Sequence, residues 1–359
     1  VYGRLVWTGA DPEGIFREKA KITTDRILRQ WPGRPEADFA QGNFHYTVER
    51  DYQKALLAYQ RALPFMPNDT DLLIAISSSY KRLGQYDLGL PVITLAESLD
   101  PQHPVVAVER TFHLLGTGQY DEALAHARKS AETFPDDMST QTNLASYTLS
   151  LTGNKNEYLR IMESVRQTNP LLVASEPHAL RMLMNVAGLD EQITWINQLR
   201  TESDFWAATN FDIQIAELLN LANREEESRT QARKALDMIN DRLAQNLPLG
   251  GNSPARDYAK FAYLACLADD NEAFQHYKAQ SESVEFVPTD TVELQQLMLA
   301  QALAECGDVE VLWELVEHGL GDFYSGVTEW QLVLDPLYQH YFANIPAYRE
   351  LVGEYLGSE

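Results

Sequence analysis

Gly118-Gln119-Tyr120-Asp121-Glu122-Ala123-Leu124, followed by Pro135, repeats a pattern that the chain has already shown twice. Gly84, Tyr86 and Ala96 precede Pro101, and Ala55, Tyr59 and Ala62 precede Pro67. The three prolines stand 34 residues apart. A small residue at this place lets two helix backbones approach, and proline ends the second helix because it cannot donate to the preceding turn. The spacing predicts a row of helix hairpins in which each unit packs only on its neighbours. An ordinary chain of 359 residues would suggest two or three domains, whereas about ten such units fill this length as one line.

The run Arg50-Asp51-Tyr52-Gln53-Lys54-Ala55-Leu56 and the run from Gly118 to Leu124 resemble the turn and second-helix start of tetratricopeptide repeats. Pro67-Asn68-Asp69 and Asp100-Pro101 resemble the exits of such repeats. The likeness covers residues 36–135, is looser to Pro170 and looser again beyond. It implies an all-α fold, a right-handed superhelix or α-solenoid of helix hairpins closed by a C-terminal capping segment. A narrower resemblance rests on Val6-Trp7-Thr8-Gly9-Ala10-Asp11-Pro12, on Pro35-Glu36-Ala37, and on Trp330-Gln331-Leu332-Val333-Leu334-Asp335-Pro336-Leu337-Tyr338. These runs are similar to the repeat region that follows the single membrane span of some bacterial adenylate cyclases and winged-helix regulators. That likeness implies a periplasmic sensing or docking region of a larger signalling protein. Without it, a cytoplasmic chain stays open.

Residues 13–30 read as an amphipathic helix stopped by Trp31-Pro32-Gly33-Arg34-Pro35. The first clear repeat runs from Glu36 to Pro67 and carries one extra residue near Val48-Glu49-Arg50. Further repeats span Thr70 to Pro101, Pro104 to Pro135 and Ser139 to Pro170, the last with Tyr158 where a small residue is expected. Helical pairs follow at 176–203, 209–245, 255–283 and 291–318, and Asn246 to Pro254 reads as a loop. Three regions are expected: a regular array over 1–170, divergent repeats over 171–318 and a cap over 319–359. Trp330, Tyr338, Tyr341, Phe342, Tyr348 and Tyr355 fit a cap over the last repeat, with a homodimer interface as the alternative.

Against 29 basic residues stand 52 acidic ones, a net charge of −23. Phosphate contacts need clustered Lys and Arg, so nucleic acid is not an expected partner. The charge fits a solvated acidic surface first, and alternatively long-range steering toward basic partners. Cys266 and Cys306 fall in corresponding stretches of two neighbouring repeats, so a bridge is conceivable, but two buried free thiols are the expectation. The longest apolar stretch, Phe261 to Ala268, falls far short of the roughly 20 residues a membrane helix needs. No signal peptide is visible and the chain starts at Val1, which suggests a mature fragment, so any targeting segment, anchor or catalytic domain upstream would be out of view.

Hydrolase, phosphate-loop and metalloprotease motifs are absent, and no metal or cofactor is expected. His103, His113 and His126 are read as surface or groove residues, and Glu225-Glu226-Glu227 as a solvated helix face. In tetratricopeptide arrays the first helix of each unit lines a groove. Spacing maps Phe39, Asn43 and Tyr46, then Ile74, Ser78, Lys81 and Arg82, then Phe112 and Leu115, then Asn143 and Tyr147 onto it. Rings beside amides and cations suit a polypeptide ligand, since Asn bonds a backbone in both directions. The same rings could instead fill the space between repeats. Phe39 stands where the carboxylate clamp of heat-shock co-chaperones needs Lys, which argues against that role. A non-catalytic protein-interaction scaffold is the leading reading, with an α/α-barrel enzyme and a homo-oligomerisation module as alternatives.

Overall fold

The computed structural model describes residues 2–7, 15–170, 177–183, 188–201, 203, 205–245, 254–283, 292–319 and 328–356. The expected loop after Asn246 and the irregular stretch before Thr328 lie outside them. Every regular element among the described residues is helical. The contacts divide the chain into two compact units, residues 1–147 and 148–359.

Unit 1 opens with α1 (Tyr2–Trp7) and α2 (Ile15–Gln30). Hairpins follow: α3 (Pro35–Phe44) with α4 (Tyr52–Ala62), α5 (Thr70–Arg82) with α6 (Tyr86–Leu99), and α7 (Pro104–Gly116) with α8 (Tyr120–Thr133). The next first helix, α9 (Met138–Thr152), straddles the unit boundary. Helix starts are marked by acidic caps: Asp51 accepts from the Lys54 amide and Asp69 from the Leu72 amide, which satisfies amide groups left over in the first turn. At the turns, Gly84 and Gly118 take φ of +69° and +74°, where an L side chain is strained. The extra residue of the first repeat becomes a π-helical turn over His45–Glu49, closed by Arg50 in the left-handed region.

The small residues sit where spacing places them. Ala55 and Ala123 are fully buried. The core of unit 1 is built from Ala55, Leu56, Tyr59, Leu72 and Ile76, and then from Leu73, Ile93, Ala96 and Val106.

Unit 2 takes in α10 (Lys155–Thr168), α11 (Pro177–Leu183), α12 (Leu189–Thr201), α13 (Phe205–Leu221) and α14 (Glu225–Ala244). Then come α15 (Pro254–Leu267), α16 (Asn271–Ser283), α17 (Val292–Glu305) and α18 (Val309–Gly319). Short helices α19 (Glu329–Leu334) and α20 (Pro336–Phe342) precede α21 (Pro346–Leu356). The four expected helical pairs are thus present. Asn223, Asp269 and Gly307 hold the left-handed turn position of the last three. Cys266 and Cys306 are joined in a disulfide, not left as free thiols. The ends of the neighbouring first helices α15 and α17 bring their Cα atoms within 5.2 Å, close enough to bond.

Candidate functional site

Among the described turns, the left-handed residue gives the hairpins a common register. Six positions before it stand Ser78, Phe112 and Tyr147, counted from Gly84, Gly118 and Gly153. Glu217 and Tyr263 hold the same position before Asn223 and Asp269. All lie on first helices, so they share one layer of each unit.

In unit 1 that layer is a continuous ladder. The Arg82 guanidinium donates to the Tyr46 hydroxyl at 3.4 Å. Lys81 Nζ donates to Glu109 Oε1 at 2.6 Å and lies 4.5 Å from the centre of the Phe112 ring. The Phe112 ring meets Tyr147 edge-on at 6.2 Å. Burial pushes up the Tyr46 hydroxyl, with Arg82 opposing, so the phenol stays protonated. One cation therefore serves a carboxylate and an aromatic face together. Ser78, Lys81, Arg82, Phe112 and Asn143 are partly exposed, and Asn43 is exposed.

Four expected groove residues are engaged within the array itself. Asn43 Oδ1 accepts from the buried Tyr59 hydroxyl at 2.9 Å, which ties this amide to its own hairpin. Tyr147 is only 3% exposed, so its ring fills the space between repeats. Leu115 is buried likewise, and Phe39 packs on Tyr59. Glu109 was not singled out from the sequence. Its one signal is a carboxylate within the apolar run Pro104-Val105-Val106-Ala107-Val108-Glu109.

His113 and His126 are core residues, not surface ones. His113 Nε2 faces Ser77 Oγ at 2.7 Å and its Nδ1 faces the Tyr86 carbonyl at 3.1 Å. The ring enters a notch at Gly89, where an added Cβ would fall 1.9 Å from its Cε1. His126 spans Thr111 and Glu97, each at 2.8 Å. Burial works to raise the Glu97 carboxyl, but His126 and Arg110 outweigh it and hold the group low.

In unit 2 the corresponding layer carries other residues and is covered. Arg181 donates from Nε and Nη2 to both oxygens of Asp335, at 2.8 and 2.7 Å, and from Nη1 to Glu217 at 2.9 Å. Tyr263 donates to Glu217 at 3.1 Å, and Tyr341 to Glu305 at 2.7 Å. Asn220 donates to Glu305 as well. Leu337, Tyr338, Tyr341, Phe342 and Tyr348 pack with Ala300, Ala304, Leu312 and Val316. The C-terminal segment therefore covers the last hairpin, as a cap would, and continues across α17, α15 and α13 to α11. Nothing in the sequence pairs Arg181 with Asp335, which lie 154 residues apart.

No group of metal-ligating side chains gathers among the described residues, and no described helix is long and apolar enough to cross a membrane. No family model and no curated protein matches the chain. Solved structures do. A tetratricopeptide repeat protein from Parabacteroides merdae is 18% identical over 66% of this chain and 93% of its own, with a TM-score of 0.45. The pilF protein of Pseudomonas aeruginosa is 16% identical over 80% of this chain and 98% of its own, with a TM-score of 0.39. A thermophilic TPR protein of Thermus thermophilus is 14% identical over 50% and 98%, with a TM-score of 0.40.

Proposed function

We propose that this tetratricopeptide-repeat chain is a non-catalytic protein-interaction scaffold that holds a polypeptide segment on the first-helix layer of unit 1. The observation that carries the reading is the shared register. Glu217 and Tyr263, which in unit 2 lie in the network beneath a polypeptide segment, hold the position that Ser78 and Phe112 hold in unit 1. Ser78, Lys81, Arg82, Phe112 and Asn143 form the contact surface, with Tyr46, Glu109 and Tyr147 fixing its geometry and Asn43 at its edge. Rings and cations in such layers carry most of an interface's affinity.

The role fits a sensing or docking region of a larger bacterial signalling protein. The Cys266–Cys306 bridge supports an oxidising compartment such as the periplasm. A homodimer through the C-terminal aromatics would have to use Trp330 and Tyr355, since Tyr338, Tyr341, Phe342 and Tyr348 are buried in their own chain.

A partner isolated by pull-down and titrated calorimetrically tests the reading. Phe112→Ala and Arg82→Ala are each expected to cost about 1 to 2 kcal/mol of affinity. Binding that ignores both changes but fails on Trp330→Ala would contradict it.

A further inference from the structure

We infer that the first-helix layer of unit 2 is a second polypeptide groove, anchored at Arg181, whose occupant is the chain's own segment Thr328–Phe342. Three features separate this segment from a hairpin of the array. Both its helices are short, α19 of 6 residues and α20 of 7, against 14 and 11 in the α17–α18 hairpin that it covers. It lies across first helices from four hairpins, α11, α13, α15 and α17, where a repeat would pack on its neighbour alone. Its internal hydrogen bonds are self-contained: Thr328 and Gln331 form a capping box, and Asp335 caps α20 through the Leu337 amide.

The chemistry of recognition is explicit. Arg181 grips the Asp335 carboxylate with two parallel N–H bonds, the geometry that favours arginine over lysine. Glu217 accepts from the third side of the same guanidinium, so losing Asp335 leaves a buried pair and not a bare cation. Trp330 sits against the Gly153 turn, where an added Cβ would meet its ring at 2.4 Å, and its ring meets Tyr355 edge-on at 4.9 Å. The groove thus reads a carboxylate followed by Pro, a Leu and closely spaced aromatic rings. A partner presenting that chemistry would compete with the tethered segment. The reading of unit 1 borrows its register from this same segment, but it is tested separately by the Phe112 and Arg82 variants, so the two failures are distinguishable.

Two measurements on the full chain test it. Hydrogen exchange followed by mass spectrometry should show amides of 329–342 exchanging at least about tenfold faster than those of α13 and α15, as expected of a segment that detaches from an intact scaffold. Exchange in step with α13 and α15 would make the segment part of their core and overturn the proposal. The second measurement uses a fluorescent peptide of residues 328–356. Asp335→Asn in the full chain weakens the tethered segment, so this variant should bind the wild-type peptide at least about tenfold more tightly than the wild-type chain does. The same peptide carrying D335N should bind the variant far more weakly. Equal weak binding by both chains, with the variant still helical by circular dichroism, would also overturn it. Should D335N fail to fold, Trp330→Ala, which weakens the segment at its other end, takes its place with the same expected gain.

Discussion

His113 has no room to move. Gly89 gives way to it on one side and Ser77 holds it on the other, inside a fully buried site. Burial, reinforced by the Lys81 charge, holds its pKa below 6.5, although Glu109 and two carbonyls pull the other way. The folded state therefore binds this proton less readily than the unfolded chain. Its contribution to stability is complete above pH 6.5 and is lost as pH falls from there toward the lower folded value. Denaturation midpoints at pH 7.5 and 5.5 should fall more for the wild type than for His113→Gln. A fall of equal size in both proteins would show that the ring is not desolvated. This burial is not legible in the sequence, because a histidine on an amphipathic helix reads the same on either edge of the buried stripe. The cation and ring at Lys81 and Phe112 were legible from spacing. Their partner Glu109 was not, since spacing finds faces and not ion pairs across 28 positions.

At the scale of the hairpin, small residues set the helix separation. Ala55 and Ala123 are fully buried, so a longer side chain would have to fit inside the packed hairpin. Ala55→Leu or Ala123→Leu should each destabilise unit 1 by about 1 to 3 kcal/mol through overpacking, measured as a shift in denaturant midpoint. An unchanged midpoint for both would mean that the register is wrong. The hairpin order was readable because the Pro and Gly signals are local and recur. So was the extra residue near Arg50, which emerges as a π-helical turn that keeps Tyr46 in the layer beside Arg82. From sequence, the C-terminal aromatics fit a cap over the last repeat or a homodimer interface. The cap's continuation over α11 to α17 depends on Arg181 meeting Asp335, a contact that no local pattern announces.

Across the molecule, the two units differ in how they are tied together. Unit 2 carries a covalent link between α15 and the turn after α17, closing a loop of 40 residues. Replacing Cys266 and Cys306 by Ser should lower the stability of unit 2 by about 2 to 4 kcal/mol, and the transition of unit 1 should stay where it is. A midpoint for unit 2 that ignores the change would show that the bridge constrains little. The pairing was left open by the sequence, which put both residues in equivalent repeats without fixing their distance.

Unit 1 also carries a competing surface on its outer helix α6, where Leu88, Leu95 and Leu99 are 54%, 43% and 41% exposed. The central claim is that partners are held on the first-helix layer instead. Photo-crosslinking decides between them, with benzoylphenylalanine placed at position 112 in one protein and at position 95 in another. The account predicts a crosslinked partner polypeptide from position 112 and none from position 95. A crosslink from position 95 alone would contradict it.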